Sequence, residues 1–196
     1  MMHTLHTRFR RVSSGFALAA AAFFTAAALP TQAQQQHAHV HGQLKLDVAI
    51  DGPTVIIAME SPLDNIVGFE RAPKTDAEKK TVEAAIAQLR TADKLFAIDP
   101  AANCKLGPVD LRSGALGLGN PDPAESGGHA DLDASFSFNC TQAAAAKFID
   151  VNLFAAFKGA RQIDVQIATA QGQSKRQLKR PSGAQAAQPS RLTLGK

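Results

Sequence analysis

The chain has 196 residues, with 21 basic and 17 acidic side chains and a formal net charge of +4. It contains 11 Phe but no Trp or Tyr, and its basic residues are not interleaved with aromatic ones, which argues against a nucleic-acid-binding surface. No acidic residue follows Asp164, whereas six Lys and Arg residues do, so a mildly acidic body precedes a basic tail.

Residues 1–33 have the pattern of a secretory signal peptide. Three arginines, at positions 8, 10 and 11, precede an apolar run over 15–29, and Thr31-Gln32-Ala33 is a small-x-small cleavage pattern. The run has 15 residues and is shorter than the roughly 20 that span a bilayer. We therefore expect an exported protein with no transmembrane segment after cleavage. Its domain would cover 34–180, and a flexible basic tail with room for a last edge strand would cover 181–196.

Three imidazoles follow the predicted cleavage site at alternate positions, in His37, His39 and His41. Alternate residues of an extended strand point to one face, and imidazole is a ligand for zinc, copper and nickel. Beyond the signal peptide the only methionine is Met59, which favours zinc over a copper-dedicated site. A solvated tail that binds no metal is the alternative interpretation. Because imidazoles must be neutral to bind a metal, we expect zinc binding to weaken below about pH 6.

The first half of the domain shows clear local signals. Apolar residues alternate over 43–50, a turn signal follows at 51–53, and 54–59 is an apolar run rich in β-branched residues, which together predict a β-hairpin. Residues 64–73 are predicted to form a loop. Thr75 and Glu78 form a capping box, so we predict a helix over 76–90, with an extension towards Leu95-Phe96 left open.

The second half is predicted to be mostly β. A strand over 104–111, kinked at Gly107-Pro108, precedes a glycine-rich loop over 113–128 that we expect to be flexible and exposed. Further strands are predicted at 129–140, 148–154, 161–169, 175–178 and 191–194, with one helical turn over 141–147 and disorder over 181–190. The sum is a single α+β domain with a mostly antiparallel, sandwich-like sheet and one main helix.

Two cysteines, Cys104 and Cys140, remain in the predicted domain. An even number of cysteines in an exported protein favours a disulfide. Zinc ligation by the two thiolates is the alternative, although their spacing lacks a CxxC knuckle.

A second possible group of metal ligands opens the strand over 129–140. His129 and Asp131 repeat the alternating pattern of the first motif, so three imidazoles and a carboxylate would converge if the two strands lie close together. The polar face of a half-exposed strand is the simpler interpretation.

Enzyme signatures are weaker. The chain has no HExxH motif or nucleophile elbow, and no spacing selects a pair of bases from Glu60, Asp64, Glu70 and Asp131. We therefore predict no catalytic residue, while a zinc hydrolase assembled from scattered positions stays open.

Taken together, these stretches resemble the ZrgA-like family, the periplasmic histidine-rich proteins associated with zinc uptake in Gram-negative bacteria. The resemblance covers roughly residues 37–180 and rests on HAHVHGQLKLDVAIDG (37–52), ESPLDNIVGFERAPKT (60–75), AIAQLRTADKLFAI (85–98), Cys104, HADLDASFSFNC (129–140), FIDVNLF (148–154) and RQIDVQIATAQGQSKRQL (161–178). It implies a periplasmic zinc-binding accessory protein that works beside an ABC-type importer. His37, His39 and His41 match the family's amino-terminal motif, and His129 and Asp131 match its later histidine–acid pair.

Two positions depart from the family pattern. Arg71 stands where members commonly have His after GFE, and the loop over 113–128 lacks the family's long histidine- and acid-rich insert. We therefore expect a single zinc ion or weak binding rather than high-capacity loading. The rival hypothesis is a non-catalytic envelope interaction module without metal binding, in which the basic residues over 175–196 contact anionic lipid or a partner.

Overall fold

The computed structural model describes residues 40–120, 130–185 and 188–195, which belong to one unit over residues 37–196. His37, His39, His129 and the predicted signal peptide lie outside the described residues. No helix in the described part of the chain is long and apolar enough to cross a membrane.

Nine strands and three helices form the described fold. The strands are β1 (Gln43–Asp51), β2 (Thr54–Pro62), β3 (Phe96–Ile98), β4 (Cys104–Arg112), β5 (Asp131–Cys140), β6 (Phe148–Val151), β7 (Gln162–Thr169), β8 (Gly172–Lys179) and β9 (Ser190–Thr193). The helices are α1 (Leu63–Val67), α2 (Asp76–Arg90) and α3 (Leu153–Ala156), with short 3-10 turns at Pro100–Ala102, Ala143–Ala145 and Gly183–Gln185.

The strands form two sheets. The larger has the order β4-β5-β2-β1-β7-β8, and its neighbours are antiparallel except for β1 and β7, which run parallel. The smaller sheet has the order β3-β6-β9 and is antiparallel. These two sheets and the single long helix confirm the predicted α+β class.

Alternation along the strands builds the core, as the sequence predicts. One face of β1, β2 and β7 is buried, through Leu44, Leu46, Val48, Val55, Ile57, Met59, Ile163, Val165 and Ile167. Each such side chain contributes about 1.5–3 kcal/mol when it is fully removed from water. The ring of Phe96 in β3 lies 5.2 Å from that of Phe136 in β5, so the two sheets share one core.

Helix α2 has the predicted bounds because its amino terminus is capped. The Thr75 side chain accepts a hydrogen bond from the Glu78 N–H at 3.2 Å, and the Glu78 carboxylate accepts one from the Thr75 N–H at 3.2 Å. Val82, Ala85 and Leu89 are buried on one face. The open extension towards Phe96 is wrong, because Phe96 pairs with Val151 in β3.

Four local predictions need correction. The strand predicted over 148–154 ends at Val151, and the residues Leu153–Ala156 form α3 instead. The first half of the predicted loop over 64–73 is helical, because α1 follows directly on Pro62. Residues 183–185 form a 3-10 turn inside the segment predicted to be disordered. In the loop over 113–120, Ser113 is fully buried and forms a β-bridge with Leu118, so this part of the predicted exposed loop packs onto the domain.

The disulfide prediction is confirmed. Cys104 and Cys140 occupy directly opposite positions of β4 and β5 and are bonded to each other. The alternative of two cysteine zinc ligands is therefore wrong, since both sulfur atoms are used in the bond.

Candidate metal centre

The centre lies where β1 begins and β2 ends. His41 belongs to the turn that precedes β1, and Asp64 lies in the first turn of α1, two residues after β2 ends. Because β1 and β2 are antiparallel neighbours, the start of one and the end of the other lie at the same end of the sheet. The hairpin thus brings residues 23 positions apart in the chain to one place.

A buried amide fixes this arrangement. The Oδ1 of Asn65 accepts a hydrogen bond from the Gly42 N–H at 2.6 Å, and its Nδ2 donates to the Gln43 carbonyl at 3.0 Å. Only 2% of Asn65 is exposed. Since His41 precedes Gly42 and Asp64 precedes Asn65, these two bonds hold the backbones of His41 and Asp64 close together.

Two glycines allow the close approach of these segments around Asn65. Gly42 has φ 87°, a left-handed conformation that glycine adopts without strain, and its carbonyl accepts from the Arg161 N–H at 2.7 Å. Gly159 lies so close to α1 that a Cβ there would meet the Asn65 backbone at 2.6 Å. The turn that carries His41 is therefore hydrogen-bonded to the start of β7, and α1 packs closely against the segment before β7.

Glu70 reaches the same place through the end of α1. Gly68 ends the helix with φ 87°, and its N–H donates to the Asp64 carbonyl at 2.8 Å. The chain turns there, and the Glu70 carboxylate comes back beside the first turn of the helix.

The three side chains form a compact cluster. The Nδ1 of His41 lies 2.7 Å from Oδ2 of Asp64, and its Nε2 lies 3.3 Å from Oε1 of Glu70. One potential ligand atom from each residue lies within 4.8 Å of the others. The His41 side chain is 65% exposed, whereas those of Asp64 and Glu70 are 22% and 19% exposed. The imidazole therefore covers two largely buried carboxylates.

The two distances suit different roles. A separation of 2.7 Å is that of a hydrogen bond, whereas two atoms bound at about 2.1 Å to one tetrahedral zinc lie about 3.4 Å apart. The Nε2–Oε1 separation of 3.3 Å matches the second case. Among the described residues the buried Oδ1 of Asp64 has no hydrogen-bond partner, and a nearby cation would satisfy it. The donor set of one imidazole and two carboxylates fits a borderline divalent ion.

Of the residues that the sequence predicts as ligands, His41 is in this cluster. Asp131 begins β5 opposite Pro62 and is not in the group of three. Ala130 accepts from the Leu63 N–H at 2.8 Å, so the start of β5 adjoins α1. His37, His39 and His129 lie outside the described residues, and ligation by them and by Asp131 stays a prediction.

Asp64 and Glu70 are cluster residues that sequence reasoning did not assign as ligands. In the sequence both are acidic residues that no spacing selects as a pair. The signal that would have found them is the glycine between them, because Gly68 ends a one-turn helix and reverses the chain.

Arg71 follows Glu70 in the chain, but its side chain is directed to Glu78 in the first turn of α2. Its guanidinium donates to both carboxylate oxygens of Glu78, at 3.0 and 2.7 Å, and lies 5.1 Å from the centroid of the Phe69 ring. The Arg71 hydrogen bonds, assisted by the backbone N–H groups of Lys74 and Thr75, lower the pKa of Glu78 to about 2. A guanidinium stays protonated and cannot bind a metal, so this position supplies no ligand.

The comparison with protein families supplies the context for this cluster. The profile described as ZrgA family zinc uptake protein matches residues 38–185, which is more than half of the chain. The chain belongs to the ZrgA family. Membership confirms the resemblance seen in the sequence and assigns the chain a role in zinc uptake. The match includes all three residues of the cluster. A comparison with curated proteins found no match.

Proposed function

We propose that this ZrgA family member is a periplasmic zinc-binding accessory protein that buffers zinc or delivers it to an ABC-type uptake system. The observation that carries the proposal is the contact of His41 with both Asp64 and Glu70. The family's role in zinc uptake supports zinc as the cargo. The signal-peptide pattern over 1–33 supports a location in the periplasm.

Within this proposal, the cluster residues have separate roles. Nε2 of His41 and Oε1 of Glu70 bind zinc directly. Asp64, whose Oδ2 lies 2.7 Å from Nδ1, would orient the ring and select its tautomer, as carboxylates beside metal-bound histidines commonly do.

Tetrahedral zinc needs further ligands. His37 and His39 lie four and two residues before His41, and His129 directly precedes Ala130, whose carbonyl binds the first residue of α1. We therefore propose that imidazoles from these positions complete the site, with Asp131 as a ligand or as a partner of His129.

The exposure of the cluster supports a carrier role. His41 is 65% exposed, so the ion would lie at the surface, where a partner can reach it. Copper and nickel also bind imidazole, and copper binds more tightly than zinc, so affinity alone does not identify the cargo.

Titration calorimetry on the purified protein tests the binding step. We expect about one zinc ion per chain, with binding strongly weakened in the triple variant H37A/H39A/H41A and in H41A alone. Copper and nickel titrations on the same samples, followed by zinc competition, show which ion the site retains.

A matched control is available in Asp51→Asn. It removes one carboxylate at the hairpin turn, at the other end of β1 and about 30 Å from the site. It should bind zinc as the wild type does. Absence of zinc binding by the wild-type protein, or full binding by the triple variant, would overturn the proposal.

Delivery needs a separate measurement. We expect zinc-limited cells that lack the protein to take up less radioactive zinc, and to recover with the wild-type gene but not with H37A/H39A/H41A. Equal recovery with both genes would show that the protein supports uptake without binding the ion at this site.

A further inference from the structure

A permanent positive charge stands next to the cluster. Arg71 adjoins Glu70 in the chain, so their Cα atoms are about 3.8 Å apart. The arginine side chain is long enough to reach the cluster's carboxylates, and a free guanidinium beside them would be attracted to them and would repel an incoming cation. The structure shows the opposite arrangement, in which Arg71 is turned to the amino terminus of α2.

We infer that Glu78 is a positioning residue for the metal centre, which holds the Arg71 guanidinium away from Glu70 and neutralises it, so that the cluster stays open to a cation. The inference rests on the proposed function and extends it to a residue outside the cluster.

Three contacts fix the direction of Arg71. Its guanidinium makes two hydrogen bonds to Glu78, donates to the Ala72 carbonyl at 3.1 Å and lies over the Phe69 ring. A two-point guanidinium–carboxylate contact is directional as well as charged.

Glu78 is held in place independently of Arg71. Its Oε2 accepts from the Lys74 N–H at 2.6 Å and from the Thr75 N–H at 3.2 Å, as part of the capping box of α2. The helix end therefore fixes the carboxylate, and the arginine folds onto it. One carboxylate thus caps the helix and shields the site from Arg71.

The variant Glu78→Gln separates these two tasks. Glutamine also serves at this position of a capping box, so the cap is retained while the charge is lost. We expect zinc affinity, measured by competition with a chromogenic chelator, to fall about threefold to tenfold at low salt and to recover partly at high salt. In R71A/E78Q the affinity should return to within about twofold of wild type, because the released guanidinium is gone.

Glu83→Gln is the matched control. It makes the same change of charge at an exposed position of the same helix, away from Arg71. An equal loss of affinity in E83Q, or no recovery in R71A/E78Q, would overturn the inference and leave Glu78 a capping residue only. Thermal melting of each variant excludes unfolding as the cause. If the wild type binds zinc and E78Q binds it equally well, this inference fails while the proposed function stands.

Discussion

The side chain of Asn65 binds the backbone of Gly42, with Oδ1 accepting from the N–H at 2.6 Å in a buried environment. The Nδ2 of the same side chain donates to the Gln43 carbonyl. The two hydrogen bonds join α1 to the start of β1. The residues that precede the two partners are Asp64 and His41. The amide of Asn65 therefore holds the backbones that carry His41 and Asp64 close together, although Asn65 is not itself in the cluster.

Replacement of Asn65 by Ala should reduce both stability and zinc affinity. The buried Gly42 N–H and the partly buried Gln43 carbonyl each lose a partner at a cost of about 1–3 kcal/mol, so we expect the free energy of unfolding to fall by about 2–6 kcal/mol. Zinc affinity should fall because His41 and Asp64 are no longer held together. Urea denaturation and calorimetry measure the two effects.

Leu192→Ala provides the control for that variant. Leu192 is buried in β9 of the smaller sheet, and its truncation costs about 2–5 kcal/mol. It should match the loss of stability but leave zinc affinity unchanged. Comparable losses of affinity in both variants would mean that Asn65 acts only through overall stability.

The Asp64→Asn and Glu70→Gln variants should differ in their effect on zinc. An asparagine at 64 keeps an acceptor for Nδ1 of His41, and the loss of a supporting carboxylate typically costs about 10–100-fold in metal affinity. Glu70→Gln removes a proposed direct ligand and should cost more. Zinc titration and the visible spectrum of the cobalt-loaded protein distinguish them, because only the loss of a direct ligand changes the coordination of cobalt. A larger cost for Asp64→Asn would reverse the assigned roles.

Sequence reasoning succeeded where the signal is local. The hairpin of β1 and β2 follows from the alternation of apolar residues over 43–50, the turn signal at 51–53 and the β-branched apolar run over 54–59. The bounds of α2 follow from Thr75 and Glu78 at capping distance, and the buried face of β5 follows from its period of two. Each of these patterns lies within about twenty residues and requires no knowledge of distant contacts.

The rest of the fold depends on contacts that a local pattern does not show. The parallel pairing of β1 with β7 joins residues more than 100 positions apart. Helix α1 has five residues, which is too few for a helical period. Asp64 and Glu70 approach His41 only because Gly68 reverses the chain and because Asn65 hydrogen-bonds α1 to Gly42 and Gln43. The sequence shows Arg71 as a departure from the family pattern, but only the structure shows that its guanidinium pairs with the Glu78 carboxylate.

The disulfide should stabilise the fold without affecting the metal centre. It closes a loop between residues 36 positions apart, so its removal in C104S/C140S should lower the free energy of unfolding by about 3–4 kcal/mol. Cys140 ends β5, while the cluster adjoins its start, about 30 Å away along the strand. Zinc affinity should therefore be unchanged in the variant under conditions where it remains folded. A parallel loss of affinity would show that the strand transmits strain to the centre.

The contribution of Glu78 to stability should depend on pH in a defined window. Its pKa is lowered from 4.5 to about 2, first by the hydrogen bonds from Arg71 and then by the backbone N–H groups at the start of α2. Because the folded state releases this proton more readily than the unfolded state, the carboxylate stabilises the fold above about pH 4.5. That contribution is lost as the pH falls towards 2.

We therefore expect Glu78→Gln to melt at a lower temperature than wild type at pH 7, with the difference shrinking below about pH 4.5 and vanishing near pH 2. Thermal melting followed by circular dichroism from pH 2 to 7 measures this difference. Glu83→Gln should show no such trend, since it does not contact Arg71. A difference for Glu78→Gln that is constant over the whole range would mean that the lost shape of the side chain matters, and that its charge pairing with Arg71 adds nothing to stability.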